Sequence, residues 1–327
     1  MDVVLMDVVL LVLYLFVFPG ILFLLGLAFF SEWWDRKLTA RAQNRMGPPF
    51  LQPFADFVKL LSKEDITPTG VSGRLYAAIP LFAFAAIATA FLYIPVFGSS
   101  SPFGFPGDLV LVLYLLTLPT VLIFLLGWTS NNLFARLGAV RSVSQLFVYE
   151  VPFFLAALGP ALAYETWAVG DLVAAQSVVW IVWFEPIGFA VLLIALQAKL
   201  ERVPFDIPEA ETEIVAGPTT ELTGKKLALW NVSKDMLLAT GSALVVALFL
   251  GGPTLPFVTL DGVLGAVVAF IVFFLKVLLV LVLLAVLKAA LGRLRIDQLV
   301  DWGWKVLTPA ALIQIGIVLV AKAGGYL

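Results

Sequence analysis

Six carboxylates, Glu201, Asp206, Glu209, Glu211, Glu213 and Glu221, lie between positions 201 and 221 against a single base, Arg202. Apolar runs flank this stretch on both sides. Like charges at this density raise one another's pKa and resist desolvation beside a membrane, so the patch costs stability unless something uses it. Proton handling is the chemistry that suits such a cluster, and a solvated acidic loop is the plain alternative. Asp206 and Glu209 stand at capping-box spacing, Pro208 suits a first turn, and Gly217-Pro218 is a stop signal, which predicts a short acidic helix over 207–216. On that helix Glu209 and Glu213, four apart, share a face, where charging both is disfavoured without water or a partner's base.

The elements that must hold these groups are apolar. Hydrophobic residues make up 62% of 327, charged residues 13%, and the mean hydropathy is +1.06, values outside the range of soluble domains. With about 20 apolar residues needed per crossing, the chain is expected to be all-α, one transmembrane domain over 1–327 with eight spans at 8–30, 75–97, 108–129, 145–164, 178–199, 228–250, 264–288 and 305–323. Seventeen of the 20 Lys and Arg fall in or beside loops 31–74, 130–144, 200–227 and 289–304, and none falls in 98–107, 165–177 or 251–263. By the positive-inside rule the first set is cytoplasmic and both termini lie outside. The acidic N-terminal flank, Asp2 and Asp7, does not suit a cleaved signal peptide, so the first span is expected to be retained. In the first loop Phe54, Phe57, Val58 and Leu61 recur at helical spacing opposite Asp56, Lys59 and Lys63, which predicts a helix lying in the membrane surface or packed under a partner subunit.

Charges inside the spans come next. Glu150 sits just within the fourth, Glu185 in the outer part of the fifth, Lys234 and Asp235 in the inner part of the sixth, and Lys276 near the middle of the seventh. A central charge costs from about 2.5 kcal/mol upward. Lys276 is about twelve residues, roughly 18 Å, from either end of its span, too deep to snorkel. It is expected to face a carboxylate or water within the bundle, the carboxylate candidates being Glu209, Glu211 and Glu213 of a loop folded back into the bundle, or Asp235.

Composition also excludes functions. With no Cys and no His the chain lacks the usual ligands of iron–sulfur clusters, haem or zinc. A net charge of -2 with scattered bases gives no nucleic-acid face.

Several segments carry a resemblance. Asp35-Arg36-Lys37-Leu38-Thr39-Ala40-Arg41-Ala42-Gln43-Asn44-Arg45-Met46-Gly47-Pro48, Leu51-Gln52-Pro53, Pro204-Phe205-Asp206 with Pro208-Glu209-Ala210-Glu211, Phe274-Leu275-Lys276, and Arg293-Leu294-Arg295-Ile296-Asp297-Gln298-Leu299 with Trp304 resemble the H-subunit family of respiratory complex I. Gly47-Pro48 runs into Leu51-Gln52-Pro53 without the short insert of quinone-using members, which looks like the branch of membrane-bound nickel–iron hydrogenases and archaeal sulfur reductases. The resemblance implies a membrane subunit without a cofactor of its own, on which a cluster-bearing small subunit and a large catalytic subunit dock. Iron–sulfur clusters, and in the hydrogenase branch a nickel–iron site, would belong to those partners, and antiporter-like subunits would continue the membrane arm. It further implies a coupling or proton path among Glu209, Glu211, Glu213, Glu150, Lys276, Asp235, Lys234, Lys199, Glu201 and Asp35, and a docking face including Arg36, Arg41, Arg45, Asp206, Arg293, Arg295 and Asp297. Two glutamates of the family's path are replaced here by Lys199 and Lys234, which puts a simple glutamate relay in doubt. The expected function is therefore energy coupling in a complex I-like oxidoreductase. The alternatives are a quinone-chamber subunit and a stand-alone transporter, and the sequence lacks the inverted repeat expected of the latter.

Overall fold

The computed structural model describes residues 2–256 and 262–324, with the side chains of residues 2–8 and of Glu211 outside the description. Helices account for the fold, and no β-strand is present among the described residues. Helix α1 (Asp2–Phe16) bends at Pro19-Gly20 into α2 (Ile21–Ala42), and α3 (Gln52–Leu61) is the surface helix predicted for the first loop. Phe54 and Phe57 of α3 pack on Phe29 of α2 at ring distances of 5.9 and 5.7 Å, so the apolar face of α3 is in part used inside the molecule. Then follow α4 (Gly73–Leu92), α5 (Asp108–Thr129), α6 (Leu133–Tyr164) and the short α7 (Val169–Ala175). Asn132 caps α6, accepting a hydrogen bond from the Phe134 N–H at 2.8 Å.

Among the described residues, seven helices are long and apolar enough to cross a membrane, α1 with α2 and residues 296–323 each counting as one. The fifth expected span, 178–199, differs. Its helix, α8 (Pro186–Lys199), has 14 residues and is preceded by a 3-10 turn at Ile181–Trp183. Pro186 explains the late start: it has no N–H to donate and is suited to a first helical turn. The acidic helix also falls short of 207–216. A single turn, α9 (Glu211–Ile214), stands between bends and a 3-10 turn at Gly217–Thr219. The remaining helices are α10 (Gly224–Phe249), α11 (Gly262–Ala290), α12 (Ile296–Trp302) and α13 (Thr308–Ala323), with a π-helical stretch at Gly303–Leu307 between the last two.

Helix α10 is the axis. Every residue from Met236 to Leu250 is buried, and the small run Ala239-Thr240-Gly241-Ser242-Ala243 lets neighbours approach closely. A Cβ at Gly241 would collide with the Leu196 side chain of α8. Around this axis pack α2, α4, α8 and α11, while α5 and α6 pair beside them. Outward faces carry exposed Phe82, Phe147, Trp183, Leu275, Ile313 and Val320, the apolar coat that a bilayer or neighbouring subunits require. The 3-10 turn Gly217–Thr219 is seated on Gly127 of α5 and Gly138 of α6, where a Cβ at Gly138 would strike Pro218. Absence of side chains at those two points is what lets the acidic loop enter the bundle.

Candidate functional site

The loop end of the bundle encloses a cavity of about 590 Å³ walled by α2, α5, α10 and the segment after α8. Nine charged residues line it: Glu32, Arg36, Lys199, Glu201, Arg202, Glu209, Lys234, Asp235 and Lys288. Such a density survives burial only if the charges alternate in sign at bonding distance. Among the described residues eight of the nine have an opposite charge within 4.0 Å, Asp235 being the exception.

On one side Lys199, at the end of α8, donates to both carboxylate oxygens of Glu150 on α6 at 2.8 and 3.0 Å. Its ammonium also lies 4.7 Å from the Phe153 ring centre and 5.2 Å from that of Tyr149, a cation–π setting that helps a fully buried cation. Lys234 of α10 donates to Glu209 and stands 3.7 Å from Glu201. Glu201 is buried, has a left-handed backbone (φ 51°), and neighbours Glu209 and Asp206 electrostatically. Burial pushes the Glu201 carboxyl up to about 7; Lys234 pulls it down, while Glu209 and Asp206 push it further up.

On the other side a second chain of alternating charge runs through α2. Arg36 donates to Glu32 at 2.6 Å and to Asp56 of α3 at 3.1 Å. Arg202 bridges Glu32 at 2.7 Å and Asp35 at 3.0 Å, and Lys288 from the end of α11 reaches Asp35 at 2.8 Å. Asp235 lies between the main cavity and a small recess of about 40 Å³ under α3, sharing both with Arg36 and Asn231. The two chains of charge meet across Glu201-Arg202, which contributes one residue to each.

Seven of the ten expected path residues gather here: Glu209, Asp235, Lys234, Lys199 and Glu201 on the cavity wall, with Glu150 and Asp35 ion-paired to wall residues, while Glu213 lies outside it. Glu213 is exposed, accepts from Arg141 at 2.7 Å and lies 3.6 Å from Arg293; the Arg141 hydrogen bond holds it below the usual carboxylate range. Glu211, also expected on the path, has its side chain outside the described residues. The expected carboxylate partner for Lys276 is corrected. Its ammonium donates to the backbone carbonyls of Leu250 at 2.6 Å, Gly252 at 2.9 Å and Thr254 at 2.6 Å, and sits 4.6 Å from the Trp180 ring. Leu250 is the C-terminal cap of α10 and the other two carbonyls belong to the turn that follows, beside a helix end whose carbonyls lack donors and whose dipole favours a cation. Depth in the span requires a buried partner for Lys276 but does not distinguish a carboxylate from a helix C-terminus.

The expected docking residues divide. Arg41 and Arg45 are exposed, at and beyond the last turn of α2. Arg36 is engaged in the cavity network, Arg293 with Glu213, and Arg295 with Asp297 at 3.6 Å, both exposed. Asp206 is half-buried near Glu201 and Lys234. Sequence reasoning missed Glu32 and Lys288. Glu32, Asp35 and Arg36 stand at i, i+3 and i+4, so one polar face on α2 was there to be found; nothing local marks Lys288.

Comparison with known proteins agrees with this geometry. The NADH dehydrogenase family matches residues 13–319. The H subunit of NADH-quinone oxidoreductase from Geobacillus kaustophilus is 37% identical over 299 residues, 88% of this chain and 87% of the relative. The same subunit from Thermomicrobium roseum is 36% identical over 341 residues, 97% of each chain. That of Carboxydothermus hydrogenoformans is 33% identical over 296 residues, 89% of this chain and 83% of the relative. Among solved structures, a chain of the membrane-bound sulfane sulfur reductase, an archaeal respiratory membrane complex, superposes with a TM-score of 0.82 at 31% identity, covering 91% of this chain and 96% of that one. The fold and the relatives are those of a multi-pass subunit of a membrane oxidoreductase complex. The chain belongs to the NADH dehydrogenase family and is similar throughout to the H subunit of complex I.

Proposed function

We propose that this chain is the energy-coupling and docking subunit of a complex I-like oxidoreductase, one that links electron transfer in peripheral partners to ion movement in the membrane arm. The carrying observation is two neighbouring groups of alternating charge at the cavity, Glu150–Lys199 and Glu201–Lys234–Glu209. With lysines where relatives of the resembled family use glutamates, a hop of protons between like acids is replaced by coupled ion pairs. Protonating Glu201 weakens its hold on Lys234, and a charge shift at the loop then reaches Lys199 and Glu150 through the field and the packing between α8 and α10. Lys276 ties α11 to the end of α10 and would pass a displacement of α10 onward. Partner subunits that carry clusters would sit on the loop end, against Arg41, Arg45, Arg295 and Asp297, which puts that end in the cytoplasm and both termini outside.

The sulfur-reductase or hydrogenase branch is favoured by the uninterrupted Gly47-Pro48 to Leu51-Gln52-Pro53 connection and by the solved neighbour. The curated relatives favour a quinone-reducing complex. Nine charges on the cavity wall weigh against that cavity holding an apolar quinone ring and tail. Assaying the purified complex with a quinone and with a sulfur acceptor separates the two branches. The coupling role is tested by Lys234→Met in the intact complex reconstituted into sealed vesicles. Electron transfer should persist while ion uptake per electron falls about tenfold, the effect of about 1.4 kcal/mol on a coupling equilibrium; an unchanged ratio would refute the charge-alternation path.

A further inference from the structure

Glu185 stands apart from the cavity, immediately before α8 and at that helix's other end. Helix α8 spans about 21 Å at about 1.5 Å per residue, against about 30 Å for a hydrocarbon core. Its far end, Lys199, is already inside the bundle, so its N-terminus with Glu185 begins within the apolar layer. The Glu185 side chain is fully buried, and neither carboxyl oxygen has a hydrogen-bond partner among the described residues.

Four helices close around it. Gly159 of α6 is in such close approach that a Cβ there would overlap the carboxyl, and one at Gly188 of α8 would stand 3.3 Å from the same oxygen. Phe249 of α10 and Gln314 of α13 lie beside Gly188, and Gln314 donates one amide N–H to the Phe184 carbonyl at 3.3 Å. Tyr164 of α6 is the titratable group in electrostatic contact with Glu185. Lys322 of α13 is held by Glu165 at 2.6 Å and by the Leu162 carbonyl, and Lys276 by the carbonyls at the end of α10. No cation among the described residues is paired with Glu185.

An ionised carboxylate in this place would carry a desolvation cost with neither counter-charge nor donor to offset it. A carboxylic acid costs far less. It also brings one O–H, and the Ala156 carbonyl on α6 stands without its usual helical donor because Pro160 has no N–H. Ala156 and Gly159, three residues apart, share a face of α6. Two glycines that make room for a carboxyl and a helix start placed inside the apolar layer coincide at one point.

We propose that Glu185 is a proton-binding site of the bundle, separate from the charged cavity: a carboxyl that holds a proton at neutral pH and exchanges it with solvent. The site is independent of the coupling path proposed above. The test is infrared difference spectroscopy of the intact complex in membranes, wild type against Glu185→Gln. A carbonyl band of a protonated acid, present in the wild type at neutral pH, absent from the variant and shifted after transfer to heavy water, is the expected result. Absence of that band overturns the proposal. A band that heavy water never shifts makes Glu185 a sealed structural acid, and a band removed by sodium ions at constant pH makes it a cation site; either also overturns it. Should the variant fail to assemble, wild-type complex treated with dicyclohexylcarbodiimide reads the same property by peptide mass spectrometry. Glu185 modified at neutral pH supports the site, and Glu185 unmodified where the denatured chain is modified refutes it.

Discussion

Lys199 is a fully buried cation whose ammonium is held by a two-point contact with Glu150 and by two aromatic faces. Removing one member of such a pair strands the other, a loss of about 3–5 kcal/mol, whereas removing both at once is near neutral. Lys199→Met should therefore lower the thermal unfolding temperature of the purified complex sharply, and Glu150→Gln added to it should restore most of the loss. A single change as mild as the double one would mean that water already satisfies Glu150. Glu201 makes a prediction of the opposite kind. Its folded-state pKa is about 7 against an ordinary 4.5, so the folded protein keeps a proton there that the unfolded chain has lost. Stability from this group is complete below the unfolded value, declines as pH rises through that interval and is gone above about 7. Glu201→Gln should flatten the pH dependence of unfolding across the interval and stabilise the protein on its alkaline side. An unchanged profile would show that Lys234 keeps Glu201 ionised throughout.

Among the elements, the close of α10 decides how the outer half of the bundle is tied together. The carbonyls of its C-terminal cap and of the turn that follows face Lys276, with Gly251 and Gly252 at φ 68° and 53° supplying the left-handed backbone that aims them. Lys276→Met preserves volume and leaves three acceptors without a donor, each costing about 1–3 kcal/mol, partly offset by no longer burying a charge. The expected outcome is a lower unfolding temperature together with reduced ion uptake per electron in sealed vesicles, while the partners' redox chemistry continues. Normal uptake in the variant would leave Lys276 a helix cap and nothing more. At the other end of α10, packing also explains why the acidic loop is shorter as a helix than its capping signals suggest. Gly217-Pro218 is drawn into the notch between α5 and α6 formed by Gly127 and Gly138, and the chain bends to reach it.

For the whole molecule, the charge sorting along the sequence and the position of the cavity agree on one polar end. Loop 31–74 and loop 200–227 are fastened to each other there, by Lys226–Asp65 at 3.1 Å and by Thr223 Oγ1, which accepts from the Ile66 N–H at 2.9 Å. Cysteines placed at Thr219 and at Ser100 should label from opposite faces in sealed vesicles, Thr219 from the cytoplasmic face. Labelling from one side alone would remove the proposed orientation and with it the docking end.

Much of this protein was legible in its residues taken in order. Hydropathy runs, Pro and Gly punctuation and the amphipathic face of 52–61 are local properties, and helices in a membrane must satisfy their backbone within themselves, so span positions follow from composition. The acidic stretch and the in-span charges likewise announced where polar chemistry must sit, because a charge in an apolar run demands a partner. Which partner was another matter. Glu32 with Arg202 is separated by 170 residues and Asp35 with Lys288 by 253, and spacing cannot encode contacts between helices that remote. The late start of α8, the carbonyls around Lys276 and the solitary burial of Glu185 were decided by packing in three dimensions, where a backbone acceptor can take the place of a side chain and a missing Cβ can make room for a carboxyl.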